Sequence, residues 1–468
     1  MDSTKSSQYV RIDPRFCLRG WEGQPYSLLD TKTAVAHPIS EGVFGTLRLC
    51  NGHFRPIDPL FLGPRRIQLD LLDREGVLAF SPEPSSLEPE QEYLTYPNHY
   101  MREVQWSLTG RCNYRCRHCF MDAPNGILPQ PTTEQCLSYI DQMAEAGVQV
   151  VKITGGEPLI RPDFLQIVDH LYERHIPIST ILTNGALLDE KLLVALEERG
   201  VICGFDISFD GVGGWHDWLR GVEGAEESAF RAFRLLREHG FPAGAQYVLH
   251  RGNVGVLRES MRLLGELGVV GVIIGSVRDQ GAAGAMRDQI LSYDEIFDIA
   301  CDYLLQFLED DIPLQEVTIG DFFRVRDGKV SLLRGENEHP DCAGKPACNS
   351  VVSTLYLSPD GYILPCIPAS HDDGLKESFP NIADMTISEA LHDSVYLDRV
   401  LVTVGDVLER NPECRACPWA SRCLGGCRAK ALGDDGKRDY LGMDRRSCTY
   451  FKDGYYERAR AFVEQLRS

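Results

Sequence analysis

Two rhythms of apolar and polar positions take turns along the middle of the chain. Apolar-rich runs at Val104–Leu108, Val148–Ile153, Ile178–Leu182, Val201–Ser208, Ala243–Leu249 and Val269–Ile274 predict strands. Between them apolar residues recur every three to four positions, the spacing of an amphipathic helix. Thr132 with Gln135 forms a capping box ahead of Leu137, Ile140 and Met143. Asp163 caps a predicted helix over Phe164–His175, and Asp189 caps one carrying Leu192, Leu193 and Leu196. Further helices are predicted over Ala229–His239 and Leu257–Leu267, and Ser292 with Glu295 opens one carrying Ile296, Ile299, Tyr303 and Phe307. Six successive βα units predict an α/β fold, with a parallel, barrel-like sheet over 102–310 whose functional groups gather at the carboxyl ends of the strands.

The flanks follow other patterns. Tyr26–Asp30 reads as a short strand, Gly42–Cys50 as a helix before the Asn51-Gly52 turn signal, Ile67–Arg74 as a second helix and Val77–Phe80 as a strand. Strand, helix, helix, strand predicts a small winged-helix-like unit within residues 1–90, followed by a Pro- and Glu-rich linker over Ser81–Gln91. Residues 311–340 read as a mixed bridge, 341–450 as a loop-rich region with little periodicity, and 451–468 as a closing segment with an amphipathic helix over Glu457–Arg467.

Composition narrows the class. A chain of 468 residues with 43% hydrophobic and 25% charged positions is an ordinary globular protein of two or three domains. Its net charge of −20 argues against nucleic acid and anionic membranes as partners, because both reward clustered Lys and Arg. No apolar run approaches a membrane span and the start, Met1-Asp-Ser-Thr4, is polar, so a cytoplasmic protein is expected. Sixteen cysteines are many for that compartment, and their grouping reads as metal ligation rather than disulfides. Cys17, Cys50, Cys136, Cys203 and Cys301 stand apart and read as small buried side chains.

The chemistry starts with Cys112, Cys116 and Cys119, a C-x3-C-x2-C loop at the end of the first predicted strand. Three close thiolates suit zinc or an iron–sulfur cluster. Structural zinc wants a fourth ligand, and the one nearby candidate, His118, is awkwardly adjacent to Cys119. A [4Fe–4S] cluster on three cysteines leaves one iron open to a cofactor. After the second strand, Thr154-Gly-Gly-Glu-Pro158 lets backbone approach a ligand closely, and Glu157 or nearby carbonyls can accept from an ammonium group.

The C-x3-C-x2-C loop resembles the signature of radical S-adenosylmethionine enzymes, with His118 in the place commonly held by an aromatic residue. The resemblance implies a partial (β/α)6, TIM-like barrel. It also implies a cluster on Cys112, Cys116 and Cys119 that binds S-adenosylmethionine and cleaves it to a 5′-deoxyadenosyl radical. On the same resemblance Gly155, Gly156 and Glu157 bind the amino group. Asn184 in Thr183-Asn-Gly185, and Ser208 and Asp210 in Ser208-Phe-Asp-Gly211, correspond to contacts with the ribose or the methionine carboxylate. Arg220 can pair with a carboxylate, and His118 completes the expected cofactor contacts.

A second group of cysteines resembles the SPASM domain, which carries two auxiliary [4Fe–4S] clusters and brings the implied total to three. By that pattern Cys342, Cys348, Cys366 and Cys427 serve the first, and Cys414, Cys417, Cys423 and Cys448 the second. Spacing alone leaves four-cysteine zinc sites open. Ile367 follows Cys366 where the sulfatase-maturing branch carries a catalytic Asp, so the likeness to that branch fails at its base, and the sequence assigns no catalytic acid or base. The resemblance implies a maturase of ribosomally made peptides that installs an oxidative change, a C–C or C–S cross-link. Its partners are then a precursor whose leader adds a strand to the winged-helix-like unit, and an electron donor such as flavodoxin or ferredoxin. Two other readings stand beside it: a SPASM enzyme acting on a small molecule or tetrapyrrole, and a non-enzymatic iron–sulfur carrier or zinc-stabilised binding module. The Gly-Gly-Glu-Pro turn and the six βα units weigh against the last.

Overall fold

The computed structural model describes residues 3–121, 123, 128–278, 281–371, 373–392, 394–431 and 439–467. Parallel strands form where the apolar runs place them, at Glu103–Ser107, Val150–Thr154, Ile178–Thr183, Gly204–Ser208, Ala243–Leu249 and Gly271–Ser276, and they pair in chain order. One face of each strand, with Val104, Trp106, Val151, Ile153, Phe205 and Ile207, is buried against helices. The other face is more polar, and there Thr180, Asp206 and Gln246 line a cleft. Helices Thr133–Glu145, Phe164–Glu173, Glu190–Glu198, Ala225–Glu238, Leu257–Glu266 and Tyr293–Asp310 fill the crossovers. Thr132, Asp189 and Ser292 cap as expected. Asp163 does not: its carboxylate is taken by Arg161 and Thr133, and the helix it precedes ends at Glu173.

The sheet continues past the barrel at both edges and reaches eleven strands. Glu316–Ile319 pairs parallel with the sixth barrel strand, and Phe323–Arg326 and Lys329–Leu332 follow antiparallel. The stretch expected as a mixed bridge thus contributes three strands to the sheet. On the opposite edge Thr354–Leu357, from the cysteine-rich region, pairs parallel with Glu103–Ser107. Leu355, Leu357, Val317 and Ile319 all join the barrel core, and that shared core fixes these edges.

The N-terminal unit departs from expectation in its strands. Tyr9–Ile12 is the central strand of a three-stranded sheet, between Asn51–Phe54 and Leu78–Ser81, with helices Glu41–Leu49 and Pro64–Arg74 against it. The Asn51-Gly52 pair therefore opens a strand. The predicted strand at Tyr26–Asp30 forms as Gln24–Asp30 but in a second sheet, between Phe16–Glu22 and Val35–Pro38, with Leu94–His99 beyond Phe16–Glu22. Two of the missed strands hide their period: Tyr9–Ile12 is four residues long, and Phe16–Glu22 is buried on both faces until its last residue. The Pro- and Glu-rich stretch is pinned at its end, where the buried Gln91 amide donates to the carbonyls of Ile12, Asp13 and Phe16. Among the described residues no helix is long and apolar enough to cross a membrane.

Candidate active site

The C-x3-C-x2-C loop leaves the first barrel strand and is held from two sides. On one side Gly156 N donates to Thr109 O (2.8 Å) and Glu157 N to Arg111 O (2.9 Å). This approach leaves no room for side chains: a β-carbon on Gly156 would sit 2.1 Å from Arg111 O, and Gly155 adopts φ 148° with its β-carbon position 2.7 Å from Thr109 O. On the other side the short helix Trp215–Arg220 accepts from the loop, Arg115 N to Arg220 O (3.1 Å) and Arg117 N to Leu219 O (2.9 Å). Sequence reasoning missed this second clamp, because a one-and-a-half-turn helix shows too little period to find.

Two of the three thiols face N–H donors. Tyr114 N reaches Cys112 Sγ at 3.4 Å, Asn184 Nδ2 reaches the same sulfur at 3.9 Å, and Arg220 Nη1 reaches Cys116 Sγ at 3.7 Å. Burial pushes the Cys112 thiol up to about 12, and Glu157, Cys116 and Cys119 act in the same direction. Such sulfurs ionise at neutral pH only when a positive centre displaces their protons. His118 Nδ1 is buried without a protein partner, and burial, with Arg220 beside it, holds the ring neutral, its pKa lowered to about 3. Converging thiols, N–H donors aimed at sulfur and one orphaned ring nitrogen together fit a thiolate-bound cluster with a polar ligand above it. Among the described residues no three His, Cys, Asp or Glu side chains converge closely enough for a single metal ion, so a mononuclear site is not preformed there.

Strand ends bring the other expected residues to this loop, in two roles. Ser208 is half-buried on the polar face at the end of the fourth strand. Asn184, at the end of the third, also donates to Asn113 Oδ1 (2.7 Å) and so holds the loop itself. Glu157 and Asp210 are both fully buried, and their carboxylates are held by donors of the protein. Glu157 accepts from Thr183 Oγ1 (2.7 Å), Asn184 N (2.8 Å) and Leu159 N (3.1 Å), and burial raises its pKa to about 7. Asp210 accepts from Arg220 Nε (2.7 Å) and Val248 N (3.0 Å), with His216 Nδ1 at 3.0 Å. Arg220 overcomes the burial cost and holds that carboxyl well below the usual range. Arg220 is itself buried, so it spans from Asp210 to the cysteine loop and does not reach for solvent.

The remaining cysteines form two groups. Burial raises Cys366 to about 12, and its thiol lies in the field of Cys427 and Cys348. Cys342, expected with them, is buried in a turn with Lys345 that leads toward Cys348. Cys414, Cys417, Cys423 and Cys448 line one cavity with Leu408, Trp419 and Phe451. Burial pushes Cys423 up to about 12, with Asp444 and the other three thiols adding to it.

Residues 106–264 match the Radical SAM superfamily. That stretch is a radical SAM domain. This enzyme is 25% identical over 372 residues to Fe-coproporphyrin III synthase of Methanosarcina barkeri, an alignment covering 76% of this chain and 90% of that protein. It is 29% identical over 330 residues to PqqA peptide cyclase of Gluconobacter oxydans, covering 69% and 85%. Its fold matches that of Streptococcus suis SuiB bound to precursor peptide SuiA, with a TM-score of 0.67 and 15% identity over 94% of this chain and 99% of that one. A radical SAM domain implies a [4Fe–4S] cluster and S-adenosylmethionine.

Proposed function

We propose that this enzyme matures a ribosomally made peptide, using three [4Fe–4S] clusters to install an oxidative C–C or C–S cross-link. The observation that carries the reading is the N-terminal unit. Its three-stranded sheet has outer strands that a leader peptide can extend. Beside it, Ile67 and Leu71 are exposed one turn apart on the helix Pro64–Arg74, and Ile57, Leu60 and Leu62 are exposed in the segment leading into that helix. Five exposed large apolar side chains in one small unit are unusual unless something covers them. In support, SuiB shares the fold over so much of the chain that the N-terminal unit is included, and it binds a precursor peptide.

When bound, the cluster and S-adenosylmethionine supply the radical that removes hydrogen from an unactivated C–H bond. Cys112, Cys116 and Cys119 would hold that cluster, with Asn184 and Arg220 donating to its sulfurs and Ser208 and His118 facing its ligand. A cross-link removes two hydrogens, one as an atom and one as a proton whose electron is left over, so an electron outlet is needed beside the substrate. Cys342, Cys348, Cys366 and Cys427, and Cys414, Cys417, Cys423 and Cys448, would hold the two auxiliary clusters that provide it. A flavodoxin or ferredoxin would supply the initiating electron.

The test is anaerobic turnover of a full-length precursor, read by mass spectrometry. A product lighter by two hydrogens is expected, together with 5′-deoxyadenosine. Ile67→Asp/Leu71→Asp should abolish peptide turnover while uncoupled cleavage of S-adenosylmethionine persists. The relationship to Fe-coproporphyrin III synthase favours a second reading, a tetrapyrrole substrate. Conversion of a tetrapyrrole substrate to Fe-coproporphyrin III, unaffected by that double variant, would establish it in place of the first.

A further inference from the structure

Four cations converge at the carboxyl end of the sheet in a chain whose net charge is −20. Asp321, just past the strand Glu316–Ile319, is buried and accepts from Arg446 Nε at 2.5 Å. Arg334 Nη2 and Lys430 Nζ each lie 3.9 Å from the same carboxylate. Arg278, just past the sixth barrel strand, stands in the field of Arg446, Asp321 and Arg334. Among the described residues Asp321 is the only carboxylate within salt-bridge distance of Arg334, Lys430 and Arg446, so one negative charge faces three positive ones, with Arg278 in the same field. The carboxyl of Asp321 is lowered to about 2, held ionised by Lys430 and the arginines against the cost of burial. Lys430 is lowered to about 8 by burial and by those same arginines, despite Asp321 beside it. Lys430 Nζ is buried without a hydrogen-bond partner, while Arg278 is exposed. Half-buried positive charge crowded around a single carboxylate is unfavourable alone and becomes favourable once a further anion is present.

The place matters as much as the charge. The segment after Arg278 runs against the cysteine loop, where Ala282 N donates to Cys119 O (3.0 Å) and Gly281 leaves no space for a β-carbon, 2.6 Å from the same oxygen. On its other side Arg278 is in the field of Cys427. The cations therefore stand between the loop of Cys112, Cys116 and Cys119 and the group of Cys348, Cys366 and Cys427. We propose that Arg278, Arg334, Lys430 and Arg446 form a seat for a substrate carboxylate, which anchors the reacting segment between the two sulfur groups. This rests on the peptide reading, with an acidic residue of the peptide as the carrier. Guanidinium groups suit it, since each can grip a carboxylate with two parallel hydrogen bonds.

The test uses the reconstituted full chain with acetyl-Gly-Glu-Gly-amide and acetyl-Gly-Gln-Gly-amide, each 13C-labelled at the side-chain carbonyl, and with coproporphyrin III. Binding is read as paramagnetic broadening of the labelled carbon at about 50 mM salt, where screening is modest. The glutamyl peptide should broaden and the glutaminyl peptide should not. Arg278→Gln/Lys430→Gln should weaken the glutamyl peptide by ~10-fold or more, with iron content unchanged. Relieving like-charge crowding is not expected to unfold the chain. Equal behaviour of the two peptides overturns the seat, provided the porphyrin binding is also indifferent to the double variant. A shift in cluster potential in that variant, with carboxylate binding intact, overturns it too and assigns the cations to balancing cluster charge. Porphyrin binding that the double variant loses, with neither peptide bound, keeps the seat and overturns the peptide reading.

Discussion

Gly156 and Arg220 show how single residues build this site by excluding and by spanning. A methyl group on Gly156 would meet backbone that cannot swing aside, so Gly156→Ala should release the cysteine loop. Iron after reconstitution is expected to fall by at least the equivalent of one cluster. Arg220 bridges a buried carboxylate and a sulfur, and Arg220→Gln leaves Asp210 with His216 and Val248 alone. Breaking one partner of a buried pair costs about 3 kcal/mol or more, and Arg220→Lys should restore little because one ammonium cannot meet both groups. Thermal midpoints and 5′-deoxyadenosine yield check both variants. The contiguous motifs around these residues were legible from sequence, since each is a short run whose chemistry needs no fold. Which members touch a ligand was not. Glu157 and Asp210 turn inward because the strand ends place donors such as Thr183, Asn184 and Arg220 around them, and Arg220 meets Cys116 from over a hundred positions away.

At the scale of elements, the barrel strands were legible because each buries one apolar face under helices, while the strand Glu316–Ile319 was not, being four residues in a stretch of mixed composition. That strand delivers Asp321 to its cations. The folded pKa of Asp321 lies below its usual value, at about 2, so its stabilisation is present above pH 4 or so and is lost as pH falls toward 2. Asp321→Asn should therefore lower the stability of the cluster-free chain by about 2 kcal/mol at neutral pH, with the gap closing between roughly pH 4 and 2. Urea midpoints of both proteins across that range check it. A constant gap would mean that Asp321 acts by packing instead of charge. The Asp321→Asn change also removes the one anion in the proposed seat, so the glutamyl peptide should bind it more tightly than it binds the parent chain.

At the scale of the molecule, the expected division into successive pieces understated how they join. Sequence patterns show where rhythm changes, and they do not show that Thr354–Leu357 lies beside Glu103–Ser107, some 250 positions earlier. A chain ended after residue 340 should expose that edge and the apolar residues under Leu355 and Leu357, and self-associate. Size-exclusion chromatography of the truncated chain checks this, and a well-behaved monomer would show the edge to be dispensable.

That continuous sheet also has a consequence for substrate choice. The strands run without a break from the first cysteine loop to the stretch that ends in Cys366, leaving no hinge among the described residues between the loop of Cys112, Cys116 and Cys119 and Cys366. The distance between them is then a property of the backbone, and the protein cannot stretch or shorten it for different substrates. On the proposed peptide reading, a bound substrate chain is measured by a fixed gauge, and the residue that reacts is set by how far along it lies from its anchor.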